Sequence, residues 1–279
     1  MYGTLSCYSP ATSENSEGSA LMGSSAEVIQ PGSPSEAASA FGDGDGVAVL
    51  AGGTLLVPDL HFGRARPERV IMLGDAGLNY VSRSNGTVTV GATTPIVALV
   101  GESAPLGPCA ASIGDNEIRA QATVGGNLCA PAGFGDLQGP LLALGATARS
   151  AGVGGERSES LEDFLADRAG RLLLDVSYAE PAAGAFASLG RPHAHHYTVM
   201  AVSGVRTAGG ATQLAVVGAG EVGSRLRSAE ALAGDAEAAG DAAGAAVNPS
   251  DDPLASGWYR ARTLPALVKQ VLSELEASA

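Results

Sequence analysis

Two double-glycine stretches are the residues of this chain best suited to hold a cofactor. One, residues 122–136, reads ATVGGNLCAPAGFGD: Gly125 and Gly126 precede Asn127, and Gly133 and Gly135 precede Asp136. The other, residues 47–56, reads VAVLAGGTLL, a β-branched run closed by Gly52, Gly53 and Thr54. Adjacent glycines admit positive φ and leave peptide N–H groups unscreened. Such groups near the start of a helix form a site for a phosphate or diphosphate. With a threonine beside each pair (Thr54, Thr123), the two stretches are suited to clamp one long anionic cofactor from two sides. The plain alternative is a pair of glycine-rich surface turns. Asp136 has two readings, a partner for cofactor hydroxyls or an N-terminal cap of the helix whose apolar face is Leu137, Leu141 and Leu144.

Other patterns point to less. Residues 217–223, VGAGEVG, contain a literal GxGxxG. A dinucleotide fold also needs a second strand ending in an acidic residue about 20 residues on, and an Ala/Gly-rich stretch stands there instead. The expectation is therefore a strand end and a turn. His193, His195 and His196 lie together, but on a strand His196 faces away from the other two, and no Cys, Asp or Glu completes a metal set. No Gly-x-Ser-x-Gly elbow is present. The three cysteines, Cys7, Cys109 and Cys129, are scattered. That suits a reducing compartment and is too few for a self-contained iron–sulfur cluster, which takes four ligands. The chain is expected to carry no metal and no catalytic acid or base of its own.

The 279 residues are 45% hydrophobic, enough for one large or two smaller domains, and carry a formal net charge of −13. That charge argues against nucleic acid as a partner. No apolar run reaches membrane-spanning length and no signal peptide is evident, so the expected location is cytoplasmic.

The elements that must position the glycine stretches follow from periodicity. Residues 1–26 are Ser/Gly-rich and read as a flexible extension. Strands are expected at 27–30, 47–50, 68–73, 146–150 and 172–178, and a helix at 34–41 with Pro34 in its first turn. A hairpin over 78–84 and 87–92 turns on Asn85 and Gly86, the type I′ signature. Short helices are expected at 95–102 and 108–113. Ser160 with Asp163 forms a capping box. Residues 180–190 read as a linker. A second hairpin, 193–206 and 211–218, turns at Gly209 and Gly210. The Ala-rich stretch 228–247 is helical in pieces. Leu264, Leu267, Val268, Val271, Leu272 and Leu275 make one helical face, with Pro265 predicting a kink or a start.

Taken together, AGGT at 51–54, TVGGN at 123–127 and Asp136 resemble the FAD-binding subunit or domain of the molybdenum hydroxylases, the family of carbon monoxide and xanthine dehydrogenases. RARPERVIML at 64–73, VTVGATT at 88–94, IGDNEIRAQATVGGNL at 113–128, LLALGA at 141–146, GAGEVGSRLRSAEALAG at 218–234 and DDPLASGWYRARTLPALVKQVL at 251–272 resemble it in the same order. The resemblance spans roughly residues 27–277. It implies an α+β fold: a two-subdomain FAD-binding domain over 27–180, with the cofactor between the subdomains, and a C-terminal domain over 188–279 with a three-stranded antiparallel sheet and helices. It implies that FAD rests on Leu50, Ala51, Gly52, Gly53, Thr54 and Leu55, on Thr123, Val124, Gly125, Gly126 and Asn127, and beside Ile113, Asp136 and Leu173. It implies a 2Fe–2S small subunit and a molybdopterin large subunit as partners, with electrons leaving the flavin to NAD⁺, oxygen, quinone or another acceptor. The sequence departs from the family at several points. Ser188 stands where a lysine is common, Pro192 at a usual arginine, His196 at an aspartate, and Ala132-Gly133 at a common Asp-Pro, while Arg191 remains. A stand-alone flavin-binding protein is the alternative these departures leave open, and an NAD(P)-dependent oxidoreductase built on residues 218–223 is another.

Overall fold

Three β-branched runs early in the chain form a small parallel sheet. They are β1 (Glu27–Ile29), β2 (Val47–Leu50) and β3 (Arg69–Met72), in the order β1–β3–β2. The structure, a computed structural model, describes residues 26–191 and 197–278. The extension expected at 1–26 lies almost wholly outside the described residues, as do Pro192 and His193, His195 and His196. Helix α1 (Pro34–Phe41) links β1 to β2; the Ser33 side chain caps it by accepting from Glu36 N, and it buries Ala37 and Phe41. Helix α2 (Leu56–His61) follows β2 and buries none of its residues.

The second sheet is antiparallel, in the order β4–β5–β8–β6–β7. Its strands are β4 (Val81–Ser84), β5 (Thr87–Gly91), β6 (Thr147–Gly152), β7 (Gly155–Ser160) and β8 (Arg171–Ala179). The β4–β5 turn carries φ 52° at Asn85 and 74° at Gly86, as a type I′ turn requires. Between β5 and β6 run a 3₁₀ turn at Ile96–Leu99 and four short helices: α3 (Leu106–Ser112), α4 (Asn116–Gln121), α5 (Val124–Leu128) and α6 (Gln138–Ala143). Helix α7 (Leu161–Ala166) opens on Ser160, which accepts from Asp163 N. Strand β8 is buried on both faces. Leu172 and Leu174 meet Phe41 and Ile71 of the first layer, whereas Leu173 and Val176 join Leu106, Val124, Leu128 and Leu141 in the helical core.

The third sheet, in the order β12–β11–β10–β9, is antiparallel. Its strands are β9 (Ala183–Gly190), β10 (Thr198–Arg206), β11 (Thr212–Val217) and the two-residue β12 (Ser224–Arg225). The expected linker at 180–190 is thus mostly a strand. Its Ala, Gly and Ser residues hid a period-two pattern in which Ala185 and Ala187 are buried. The sheet has a fourth, very short edge strand beyond the three expected.

Helices α8 (Arg227–Glu230), α9 (Ala236–Ala246) and α10 (Gly257–Ala277) complete the chain. Helix α10 lays its Leu264–Leu275 stripe over β9 and β10 and continues through Pro265, so the helix does not start at that proline. Gly240 and Gly244 of α9 face that proline. A Cβ at Gly240 would sit 3.0 Å from Pro265 O and one at Gly244 3.2 Å from Pro265 Cγ. On the opposite face of the third sheet lies α6: a Cβ at Gly139 would touch Val217 Cγ1 at 3.3 Å and Ser203 Oγ at 3.4 Å. Helix α6, directly after Asp136, is therefore shared by the second and third layers.

Candidate functional site

Strand β2 ends in the first glycine pair, and that pair lies directly on the chain leading into the second. A Cβ at Gly52 would stand 2.0 Å from Gln121 O and 3.0 Å from Ala122 Cα, so only glycine permits the approach. The same segment is tied to residues 92–96 from its other side. Ile96 N donates to Ala122 O (2.9 Å), Val124 N to Thr94 O (3.0 Å) and Gly125 N to Ala92 O (2.8 Å). Gly125 lies flat on Ala92, where a Cβ would come within 2.9 Å of Ala92 O. The fold thus brings the two sequence-predicted stretches together.

Their donors differ. Among the described residues, the N–H groups of Gly52, Gly53, Thr54 and Leu55 meet no acceptor. Gly53 has φ 75°, and its carbonyl accepts from Val57 N (2.9 Å) as α2 begins. Leu50, Ala51, Gly52, Gly53 and Thr54 are half-buried and Leu55 is exposed, so this turn is open to a ligand. In the second stretch the N–H groups of Val124 and Gly125 are occupied as above. Gly126 N donates to Thr123 Oγ1 (3.2 Å), which caps α5. The expectation that both pairs offer N–H groups to one diphosphate is corrected at Gly125, because burial obliges a backbone donor to find a protein partner. Asn127 is spent as well: its Oδ1 accepts from Leu137 N and its Nδ2 donates to Phe134 O, both at 2.8 Å, closing the loop between α5 and α6. Thr123, Val124, Gly125 and Asn127 are buried, and between them Gly126 is exposed.

Asp136 sits at the end of that loop, partly exposed as a residue but with its carboxyl group largely enclosed. Burial raises its pKa above the usual carboxylate value, opposed by hydrogen bonding to Thr198, to its own backbone and to Asn127. It makes no side-chain cap to α6. Cys109, buried behind it, donates its thiol to Asp136 O (3.5 Å), and burial pushes that thiol's pKa well up. Ile113 and Leu173 are 7% and 3% exposed and share one core cluster, so their side chains pack in the apolar core.

Sequence reading missed two residues. Thr93, between the carbonyls that hold Val124 and Gly125, is buried with its Oγ1 unpartnered; a buried hydroxyl in that state is costly unless a ligand or water meets it. Gln138, the first residue of α6, is 2% exposed and bonded at both ends of its carboxamide. A threonine after a strand and a glutamine at a helix start carry no signal of their own; only the fold shows where they point.

The GxGxxG turn joins two antiparallel strands, β11 and β12, as its sequence context predicted. Gly218, at φ 82°, is needed because a Cβ there would stand 2.3 Å from Val199 O, and one at Gly223 would press on Gln138 Cβ at 2.9 Å. The middle glycine is roomy: a Cβ at Gly220 meets its nearest neighbour, Val222 O, at 3.6 Å, and its φ is not positive. Gly220→Ala is therefore expected to change neither melting temperature nor nucleotide binding. Loss of nucleotide binding in the folded variant would restore the dinucleotide reading of this turn. Among the described residues no group of three His, Cys, Asp or Glu side chains is placed to hold a metal ion, and no helix is long and apolar enough to cross a membrane.

Residues 24–177 match the family described as FAD binding domain in molybdopterin dehydrogenase. The chain is 27% identical over 259 residues to the 6-hydroxypseudooxynicotine dehydrogenase complex subunit alpha of Paenarthrobacter nicotinovorans, covering 83% of this chain and 87% of that one. It is 32% identical over 129 residues to caffeine dehydrogenase subunit beta of Pseudomonas sp. (strain CBB1), covering 43% and 44%. Its fold resembles a chain of the carbon monoxide dehydrogenase of Hydrogenophaga pseudoflava, with TM-score 0.82, 24% identity, and 91% of this chain and 98% of that one covered. It also resembles a chain of quinoline 2-oxidoreductase from Pseudomonas putida 86, with TM-score 0.80, 22% identity and the same coverage.

Proposed function

The chain belongs to the family of FAD-binding domains in molybdopterin dehydrogenases, and on that footing we propose that it carries electrons between a separate 2Fe–2S subunit and an external acceptor. It is an FAD-binding oxidoreductase subunit of the molybdenum hydroxylase type. In the proposed complex a third, molybdopterin-bearing subunit hydroxylates the substrate, so the substrate pocket lies on another chain. Bound flavin supplies the redox chemistry, and this chain binds and orients it.

The observation that carries this reading is the contact of Gly52 with Gln121 and Ala122, which joins the two glycine stretches into one cradle. The residues present fit FAD. The free N–H groups of Gly52, Gly53, Thr54 and Leu55 suit the diphosphate. The Asp136 carboxyl suits a hydroxyl of the cofactor, and Thr93 Oγ1 is a buried polar atom in need of a partner. In this reading the second stretch gives the cradle its wall through Thr123, Val124, Gly125, Gly126 and Asn127, and the first turn gives the donors. Leu50, Ala51 and the backbone near Ile113 and Leu173 border the site. The domains follow the same division, with FAD bound by residues 27–180 and the C-terminal sheet and helices packed against them.

The stand-alone flavoprotein reading rests on Ser188, which is exposed on β9 where the resembling family carries a lysine. One experiment separates the two readings. The purified chain, mixed with FAD, is expected to quench flavin fluorescence stoichiometrically, and a tagged copy in its native host is expected to draw out iron–sulfur and molybdopterin subunits. Flavin binding without those subunits favours the stand-alone protein; no flavin binding removes both readings.

A further inference from the structure

The α5–α6 loop that ends in Asp136 faces the third sheet across a cleft. Gly133, Gly135 and Asp136 line it on one side and Thr198, Gly220 and Glu221 on the other. Gln138 spans the base of this junction. Its Nε2 donates to Leu128 O, at the end of α5, at 2.9 Å, and its Oε1 accepts from Gly223 N, at the end of the GxGxxG turn, at 2.6 Å. Glycines make room for it on both sides, since a Cβ at Gly135 would stand 2.5 Å from Gln138 Nε2 and one at Gly223 2.9 Å from Gln138 Cβ. The turn is pinned from its other end by a buried arginine. Arg260 Nη1 donates to Gly218 O (3.0 Å), and its Nη2 pairs with Asp252 (2.6 Å).

A buried carboxamide bonded in two directions fixes the distance between the groups it joins. We propose that Gln138 is a positioning residue, a latch that clamps the C-terminal turn to the α5–α6 loop and so holds Asp136 in the geometry that retains FAD. The C-terminal domain is then part of the cofactor site, although it offers FAD no glycine cradle of its own. This rests on the FAD reading above and deepens it. Thr198, the first residue of β10, supports the same coupling, since it lines the cleft opposite Asp136 from the C-terminal side.

The test uses the full chain and two variants. Gln138→Leu removes both bonds. Gln138→Met also removes both bonds but keeps the side chain unbranched and of similar length with no charge, and so protects the fold if leucine does not. The readouts are FAD affinity per folded molecule and, in the apo protein, amide hydrogen exchange over residues 131–136. Gln138→Leu and Gln138→Met are each expected to bind FAD about tenfold more weakly or worse, and both to exchange faster over 131–136 than wild type. A side chain with only a packing role would lower the apo melting temperature and leave both readouts unchanged, which would overturn the latch. If the wild-type chain itself takes up no FAD, the cofactor reading falls instead, a result distinct from equal binding by wild type and variants.

Discussion

Gly52→Ala is expected to lower apo stability and to abolish FAD retention, although it adds a single methyl. The added Cβ would meet Gln121 O at 2.0 Å, Gln121 C at 2.8 Å and Ala122 Cα at 3.0 Å. All three are backbone atoms, so no rotamer change relieves the contact, and the end of β2 must move away from the chain entering α5. Overpacking in a core costs about 1–3 kcal/mol where side chains can give, and a collision with backbone belongs at the top of that range or above it. Gly125→Val is expected to behave alike, since its Cβ would come within 2.9 Å of both Ala92 Cβ and Ala92 O. A side chain at Gly52 or Gly125 thus disturbs the fold as well as the cofactor. Gly53→Ala is the contrast. Its neighbours are Val57 Cγ2 at 3.0 Å and Leu50 Cδ1 at 3.2 Å, side chains that can rotate, so most of its cost is φ 75°, about 1–2 kcal/mol. Denaturant unfolding of the apo proteins with FAD titration of each orders them. Gly52→Ala within ~0.5 kcal/mol of wild type, the range of an inert surface change, would mean the two stretches do not meet as described.

What the sequence disclosed and what it withheld divide along the range of the interactions involved. Asn85 and Gly86 set their turn locally, and Ser160 with Asp163 set the start of α7 locally, so both were legible. Helices α2 and α4 were not, because neither buries a residue and so neither imprints an apolar period. Strand β7, GERSES, is an edge strand with no buried residue, and its pairing with β6 leaves no alternation to read. Pro265 is not a helix start, because α10 opens earlier on Ser256, whose side chain accepts from Tyr259 N. At the site, glycine type and spacing picked out two stretches that the fold brings together. Which N–H groups remain free was decided by the carbonyls of Ala92 and Thr94, and nothing near Gly125 in sequence announces them. Gln138 was hidden for the same reason, since its two partners, Leu128 and Gly223, come from different layers of the fold.

Asp136→Asn is expected to move stability and FAD affinity in opposite directions. Burial raises the Asp136 pKa in the folded apo protein above its ordinary value of 3.8, outweighing the hydrogen bonds that lower it. In the window between the unfolded and the raised folded pKa the native state holds more of this proton than the unfolded state, so apo stability falls as pH rises through it. The group's contribution is most favourable below the unfolded pKa, and above the folded one it is a constant penalty. Asparagine keeps the shape and removes the charge, so the apo variant is expected to be as stable as wild type or more so at neutral pH. FAD binding reverses the preference. A hydroxyl donating to the carboxylate favours its charged form, and such charge-assisted bonds are worth about 1.5–3 kcal/mol, about ten- to a hundredfold in affinity. Wild-type affinity is then expected to weaken as pH falls through the raised Asp136 pKa, while Asp136→Asn binds weakly with no such dependence. Were the carboxylate only a support for the α5–α6 loop, asparagine would lower apo stability and leave FAD affinity and its pH profile untouched. Apo melting curves and FAD titrations at acid and neutral pH, with both proteins, decide between the two roles.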